Sequence, residues 1–307
     1  MRLLIALSFL ALTACSPAEQ STSTDQPPAA VEPAEQTASP VASESISPLK
    51  AAVEMQSAEH KARYQYRNPE QTLEFFGIEP GSTVVEALPG GGWYSKILLP
   101  LLGPQGQLIG ANYAKTLWPN FSFASEEFLA GINDWATTWP EGTAEMQGSP
   151  DTPTPVSAFM FEELPESMKG TADAVLLVRA LHNMARFEAQ GGFLTNAMQD
   201  VYDVLKPGGV VGVVQHEARA EMPDEWADGS RGYLKRDFVI SVMENAGFVF
   251  EEASDINQNE KDVPTADDVV WRLPPSLNGA QDNPEQLAKV TEIGESNRMT
   301  LRFRKPS

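Results

Sequence analysis

The sequence predicts an α/β fold, a doubly wound, mostly parallel seven-stranded sheet with helices on both faces. Short continuous apolar runs, such as residues 173–178 and 210–214, alternate with segments of helical pattern. Runs of this kind are typical of strands that are buried on both faces of a parallel sheet. Three consecutive glycines, Gly90 to Gly92, directly follow the first such run. In doubly wound sheets this position is the ligand-binding edge.

The elements follow one another regularly from residue 49 onward. Apolar periodicity, together with glycine and proline stops, defines each of them. In chain order the sequence predicts a helix over 49–77, a strand over 82–88, an amphipathic segment through Leu102, strands over 107–111 and 173–178, a helix over 191–205, a strand over 210–214, a helix over 235–246, and a closing strand pair over 248–252 and 299–304.

Charge and composition exclude several classes of protein. The 307 residues include 22 Lys and Arg against 42 Asp and Glu, which gives a net charge of −20. This balance disfavours nucleic-acid binding, because a phosphate backbone would meet a repulsive surface. Cys15 is the single cysteine, so the sequence has no internal disulfide and no cysteine zinc cluster.

The first fifteen residues have the pattern of a secretory signal. Arg2 precedes an apolar run that reaches Leu12, and small residues lead to Cys15. The run is shorter than the roughly 20 residues that a transmembrane helix needs. The stretch from Leu12 to Cys15 resembles the bacterial lipobox, which implies cleavage before Cys15 and lipidation of its sulfur. The alternative is an ordinary secreted protein with an incidental cysteine.

These features divide the chain into a lipoprotein signal peptide over 1–14, a lipidated cysteine with a disordered tether over 15–48, and a folded domain over 49–307. Residues 16–48 contain no Lys, Arg or aromatic residue and are rich in Pro, Ser and Thr, so they have little to bury. The expected location is the periplasm, with a lipid anchor in the membrane. Ser16 after the cysteine resembles lipoproteins that are sorted to the outer membrane.

The folded part resembles the class I S-adenosylmethionine-dependent methyltransferases, and more closely a group of predicted methyltransferases that bacteria export. The resemblance covers about residues 50–305. It implies a Rossmann-like methyltransferase fold, S-adenosylmethionine as the cofactor, and a small molecule or an envelope component as the acceptor. It rests on residues 84–95, 180–183, 205–209, 270–275 and 293–300.

The resemblance also implies which residues contact the cofactor. Glycines after a buried strand let the backbone approach a ligand closely. A turn that only joins strand to helix is the alternative. The implied cofactor residues are Glu86, Gly90, Gly91, Gly92, Asn112 and Asn183.

Three positions depart from the family pattern. Leu88 stands where the first glycine of the loop is usual, and Asn112 replaces the carboxylate that binds the ribose. Asn lacks the charge that strengthens such a hydrogen bond. Residues 159–161 are Phe-Met-Phe where an adenine-contacting Asp is common. S-adenosylmethionine is made in the cytoplasm, so a periplasmic location also raises the question of how the cofactor reaches the protein.

Two histidines are candidates for binding or deprotonating the methyl acceptor. His182 follows the fourth strand of the expected sheet and His216 follows the fifth, so both are expected at the ligand edge. His182 is the first candidate for a base or for orienting the acceptor, and His216 is the second. Each has a capping or packing role as its alternative. A metal site of two histidines, completed by Glu217 or Asn183, is a further alternative. It lacks a third strong ligand at helical spacing, so no metal is predicted.

Other residues near the expected site have several interpretations. Arg179 pairs with an acidic acceptor, with Glu86, or with a surface carboxylate. The aromatic-rich segment 113–161 forms a lid, an apolar acceptor pocket, or part of the core. Segments 217–232 and 257–279 frame the acceptor side in the resemblance. Trp271 and Arg298 are family-type positions of unknown role.

Two functions therefore compete. The first is a methyltransferase tethered in the periplasm. The second is a lipoprotein that retains the fold, lacks catalysis, and binds a small ligand or a protein partner. The glycine loop and the segment 181–183 favour the first, and the three departures favour the second.

Overall fold

A computed structural model of the chain describes residues 46–148 and 151–307. The predicted signal peptide, Cys15 and the tether as far as residue 45 lie outside the described residues. The strands are β1 (Thr83–Ala87), β2 (Gln107–Asn112), β3 (Val156–Met160), β4 (Ala172–Val178), β5 (Leu205–His216), β6 (Val249–Ser254) and β7 (Arg298–Arg304).

These strands form one mixed sheet in the order β3-β2-β1-β4-β5-β7-β6. The first five are parallel to one another. Strand β7 lies antiparallel between β5 and β6. The predicted seven-stranded, mostly parallel sheet is thereby confirmed. Its order reverses between β1 and β4, which is the switch point where doubly wound sheets bind ligands.

Helices cover both faces of the sheet. Helices α1, α4, α5 and α6 pack against Val84 and Leu108, and helices α7, α9 and α10 pack against Val85 and Ile109 on the other face. Neighbouring residues thus serve opposite layers, as the strand period of two requires. The helices are α1 (Pro48–Glu54), α2 (Ala58–Lys61), α3 (Tyr64–Arg67), α4 (Pro69–Phe75), α5 (Ser95–Leu102), α6 (Glu126–Met146), α7 (Leu181–Arg186), α8 (Glu188–Gly191), α9 (Phe193–Val204), α10 (Arg236–Asn245) and α11 (Pro284–Ile293).

The prediction of one helix over 49–77 is wrong, because α1 to α4 replace it. The Ser57 side chain accepts a hydrogen bond from the backbone N–H of His60 and so starts α2. Asn68 has a left-handed backbone, with φ of 39°, and Pro69 begins α4 directly after it. The chain therefore turns repeatedly and carries α2 and α3 toward the segment before β7.

The segment 113–161 contains α6 and β3, which the sequence did not place individually. Helix α6 crosses β2 at Gly110, where a Cβ atom would lie 2.6 Å from the ring of Trp139. Only a glycine permits this approach. Within the described residues, no helix combines the length and the apolar character that a membrane crossing needs.

Candidate active site

The loop after β1 adopts an unusual backbone at a non-glycine residue. Leu88 has a φ of 55°, and Gly90 and Gly92 have φ of 55° and 73°. A left-handed conformation strains a leucine, and such strain is typical of functional sites. Leu88 keeps this conformation at the position where the family usually has glycine. Its side chain lines both cavities described below.

Gly92 faces a helix of the fold. A Cβ atom at this position would lie 2.8 Å from the sulfur of Met146, at the end of α6. This contact is with the tip of a flexible side chain, so the left-handed backbone of Gly92, with φ of 73°, is the stronger constraint on a substitution. The cofactor contacts expected for Gly90, Gly91 and Gly92 stay predictions. Substitution of Gly92 by valine would disturb the fold whether or not a ligand binds.

Glu86 lies near the end of β1 and is 3 % exposed. The hydroxyl of Ser95, at the start of α5, donates a hydrogen bond of 2.6 Å to its carboxylate. Burial raises the pKa of Glu86 to about 7, and the hydrogen bond from Ser95 opposes this shift. The group is therefore poised to be partly protonated near neutral pH.

This shift makes stability depend on pH. The folded protein holds the Glu86 proton up to about pH 7, whereas the ordinary carboxyl pKa is 4.5. The folded state therefore binds the extra proton in this window, and the free energy of unfolding falls as pH rises through it. The Glu86→Gln variant lacks this loss. We expect the free energy of unfolding of the variant, minus that of wild type, to rise by about 2 kcal/mol between pH 5 and pH 8. Urea denaturation at both pH values measures this difference. A difference that stays constant across this range would contradict the buried, protonated carboxyl.

The two candidate asparagines differ in their free hydrogen-bonding atoms. Asn112 is buried, and its side-chain oxygen accepts the backbone N–H of Tyr113 at 2.8 Å. The hydroxyl of Tyr113 donates to the carbonyl of Ala180 at 2.8 Å, and the amide of Asn183 approaches that hydroxyl at 3.4 Å. The side-chain oxygen of Asn183 is buried without a partner. Asn112 thus shapes the turn after β2, and Asn183 retains an acceptor for a ligand.

An apolar cavity lies beside these residues and is called the aromatic cavity here. Its volume is about 540 Å³, within the range of small-molecule sites. Part of segment 113–161 forms its wall, while Trp139, Phe159 and Phe161 are buried in the core. The side chains that line it include Leu88, Tyr113, Trp118, Phe121, Asn183 and Trp271.

A second, more polar cavity, the arginine cavity, adjoins the first. Its volume is about 210 Å³. It lies where β1, β4 and β5 end, and the two cavities share Leu88 and Trp271. Segments 270–276 and 295–296 complete its wall, so two of the segments that the resemblance singled out, 270–275 and 293–300, meet here. Its lining includes Leu88, Arg179, His182, His216, Trp271 and Glu295.

The structure brings the two candidate histidines together. Their ring centres are 5.7 Å apart. A nitrogen of His216 lies 2.5 Å from the hydroxyl of Ser296, and one of His182 lies 3.5 Å from the amide oxygen of Gln215. Burial, with a contribution from Arg179, lowers the pKa of His182 to about 4 and that of His216 well below its ordinary value. Both rings are therefore neutral at pH 7. A ring whose pKa lies well below the working pH is a weak base, so these histidines suit orienting an acceptor better than removing its proton.

The structure shows the surroundings of Glu217 and Arg179. Glu217 accepts from Arg236 at 2.8 Å, and the described part of the chain has no group of three or more His, Cys, Asp or Glu that could hold a metal. Arg179 has a φ of 57° and a buried Nε without a partner. Among residues 46–148 and 151–307 it makes no ion pair. The alternative in which Arg179 pairs with Glu86 is therefore wrong, and no surface carboxylate of the described residues pairs with it.

Comparisons with known proteins give partial matches to the chain. No family model matches the chain. Sterol 24-C-methyltransferase of the yeast Yarrowia lipolytica is 27 % identical over 186 residues, which is 56 % of this chain and 44 % of that protein. The chain thus spans less than half the length of this relative.

Solved structures of low identity also align with the chain. A SAM-dependent methyltransferase from Aquifex aeolicus is 16 % identical with a TM-score of 0.42, covering 68 % of this chain and 93 % of its own. Geranyl diphosphate C-methyltransferase from Streptomyces coelicolor A3(2) is 14 % identical with a TM-score of 0.47, covering 85 % and 90 %.

The strand order and the sequence relationship together support the resemblance to class I S-adenosylmethionine-dependent methyltransferases. The chain has the seven-stranded, Rossmann-like sheet expected for that class. Export and lipid attachment stay predictions of the sequence.

Proposed function

We propose that this protein is an S-adenosylmethionine-dependent methyltransferase that acts on a small molecule or an envelope component. The observation that carries the proposal is the pair of adjoining cavities at the ligand edge of the sheet, which share Leu88 and Trp271. Two adjoining compartments suit a reaction that must align a donor with an acceptor. The sequence relationship to a sterol methyltransferase supports the same chemistry.

The aromatic cavity fits the nucleoside part of the cofactor. Trp118 and Phe121 provide flat apolar surfaces, and the unpartnered oxygen of Asn183 accepts an N–H or hydroxyl of the ligand. When bound, S-adenosylmethionine supplies a methyl group on a positively charged sulfur. Leu88 and Trp271 line the boundary between the cavities and exclude water there. Neutral His182, at the arginine cavity, orients the acceptor.

The proposed location is the periplasm, with a lipid on Cys15 that anchors the protein in the outer membrane. The apolar run that ends at Leu12, the lipobox-like residues and the tether composition support this proposal. A lipidated protein with a tether of about 33 residues would hold the folded domain roughly 30 Å from the membrane, from the coil dimensions of such a linker.

A non-catalytic binding role is the second candidate. Asn112 favours it, because its side-chain oxygen is already bonded to the backbone of Tyr113. No carboxylate stands at this position to hold a ribose. A protein that binds another small ligand in the same cavities is consistent with this feature.

Titration calorimetry of the full chain with S-adenosylmethionine and S-adenosylhomocysteine tests the first candidate. We expect dissociation constants of about 1 to 100 µM. The Asn183→Ala variant is expected to bind about tenfold more weakly, because a buried ligand donor then loses its acceptor. Asn196→Ala, on the exposed side of α9, serves as the matched control and should bind like wild type. The absence of binding up to about 1 mM, or about −4 kcal/mol, would contradict the methyltransferase and favour the second candidate.

A further inference from the structure

Three arginines bind one carboxylate beside the arginine cavity, and a fourth lies near them. Arg63, Arg67 and Arg298 donate to Glu295 at 2.7, 3.1 and 3.4 Å. Arg179 lines the cavity together with Glu295 and makes no ion pair within the described residues. This arginine cluster therefore carries an excess of three positive charges over its carboxylate.

Two arginines of the cluster and its carboxylate are buried. Arg67 and Arg298 are each 3 % exposed, and Glu295 is 4 % exposed. The Nε atoms of Arg179 and Arg298 and one terminal nitrogen of Arg67 are buried without a hydrogen-bond partner. Burial lowers the pKa of Arg67, Arg179 and Arg298 to about 10, so all three stay charged at neutral pH. Buried charges with unpaired donors are costly unless an opposite charge joins them.

Arg179 is the arginine of the cluster that lines the cavity. Glu295 is already bound by the cluster, and the remaining polar groups of the lining, His182, His216, Ser276 and Ser296, are neutral. The chain as a whole has a charge of −20. A positive cavity in so acidic a protein attracts a small anion, while the surface repels large polyanions.

We propose that the arginine cavity binds an oxyanion of the methyl acceptor, a carboxylate or a phosphate, through Arg179. This inference rests on the proposed function and assigns the substrate class of the same site. The planar guanidinium of arginine matches both groups. The cavity lies at the ends of β1, β4 and β5 and at segments 270–276 and 295–296, and none of its lining residues belongs to β2 or to segment 113–161. The oxyanion therefore belongs to the acceptor, whose reactive atom then lies toward Leu88 and Trp271.

Benzoate, benzamide and inorganic phosphate are suitable probes for the full chain. Benzamide keeps the shape of benzoate without its charge. By calorimetry, we expect benzoate to bind at least tenfold more tightly than benzamide, and phosphate to bind measurably. The Arg179→Gln variant should weaken benzoate and phosphate at least tenfold. Arg219→Gln, which removes the same charge at an exposed position paired with Glu221, should leave binding unchanged. Equal binding of benzoate and benzamide, or equal loss in both variants, would overturn the proposal.

A thermal melt of each variant checks that it folds. If Arg179→Gln fails to fold, Arg179→Lys replaces it in the titrations. Lysine retains the positive charge but lacks the planar guanidinium that matches a carboxylate. Weaker benzoate binding in this variant supports the proposal, and wild-type binding contradicts it.

The carboxylate of the cofactor is a second source of the same chemistry, and a second set of titrations separates the two. S-adenosylhomocysteine carries this carboxylate, and 5′-methylthioadenosine lacks it. We expect Arg179→Gln to bind both like wild type, and benzoate to bind protein saturated with S-adenosylhomocysteine. If Arg179→Gln instead weakens only S-adenosylhomocysteine, and benzoate competes with it, the acceptor assignment is overturned while the proposed function stands. If benzoate binds through Arg179 but S-adenosylhomocysteine does not bind, the proposed function fails and the acceptor assignment fails with it.

Discussion

Replacement of Glu295 by glutamine is expected to lower the free energy of unfolding by about 3 to 5 kcal/mol. Glu295 is the carboxylate that Arg63, Arg67 and Arg298 share, and it is 4 % exposed. Glutamine has nearly the same shape but no charge, so the buried guanidiniums lose their counter-ion. Removing one partner of a buried ion pair is costly because the remaining charge stays desolvated.

Urea denaturation at pH 7 measures this loss, and Glu251→Gln is the matched control. Glu251 also bonds two arginines, Arg302 and Arg304, but it lies at the sheet surface with 25 % of its side chain exposed. Partly exposed ion pairs contribute little, so we expect the control to lose less than about 1 kcal/mol. Similar losses in the two variants would show that burial does not set the energy of the arginine cluster.

Most of the sheet followed directly from the sequence. The apolar run over 173–178 became β4 (Ala172–Val178), and the run over 210–214 became the central part of β5. Such runs are predictable because a strand that is covered on both faces has almost no polar positions. The location of the site followed as well, since the carboxyl ends of parallel strands meet at one edge. Hence His182 and His216 were expected near one another.

The chemistry of the site was less predictable, because it depends on contacts between distant parts of the chain. Arg67 and Glu295 are 228 residues apart, and their contact requires the turns that break the expected helix over 49–77. The sequence does carry one weak signal, since His60, Arg63 and Arg67 are spaced for one helical face. A solvated charged face gives the same spacing.

Segment 113–161 shows a second reason why the sequence does not predict the whole site. Its aromatic residues divide between the core, where Trp139 and Phe159 are buried, and the aromatic cavity, which Trp118 and Phe121 line. Irregular aromatic spacing does not distinguish these roles, because both bury apolar rings. The direction of each side chain depends on how α6 packs on β2, and Gly110 permits that packing.

The second large effect is expected at Asp262, which joins three segments around the arginine cavity. Its carboxylate accepts from Arg272 at 2.8 Å, from the hydroxyl of Tyr233 at 3.0 Å and from the backbone of Asn297 at 3.0 Å. The side chain has no exposed surface. Arg272 directly follows Trp271, so this carboxylate holds one of the two residues that both cavities share.

The Asp262→Asn variant is expected to unfold with a free energy lower by about 3 kcal/mol, because Arg272 loses a buried counter-charge. Asp268→Asn is its control, since Asp268 bonds the same guanidinium at 3.2 Å with 29 % of its side chain exposed. We expect this control to lose less than about 1 kcal/mol. Titration with S-adenosylhomocysteine should show weaker binding for Asp262→Asn than for Asp268→Asn, because Trp271 is displaced. If the two variants are equally stable and bind equally, Asp262 does not organise the walls of the cavities.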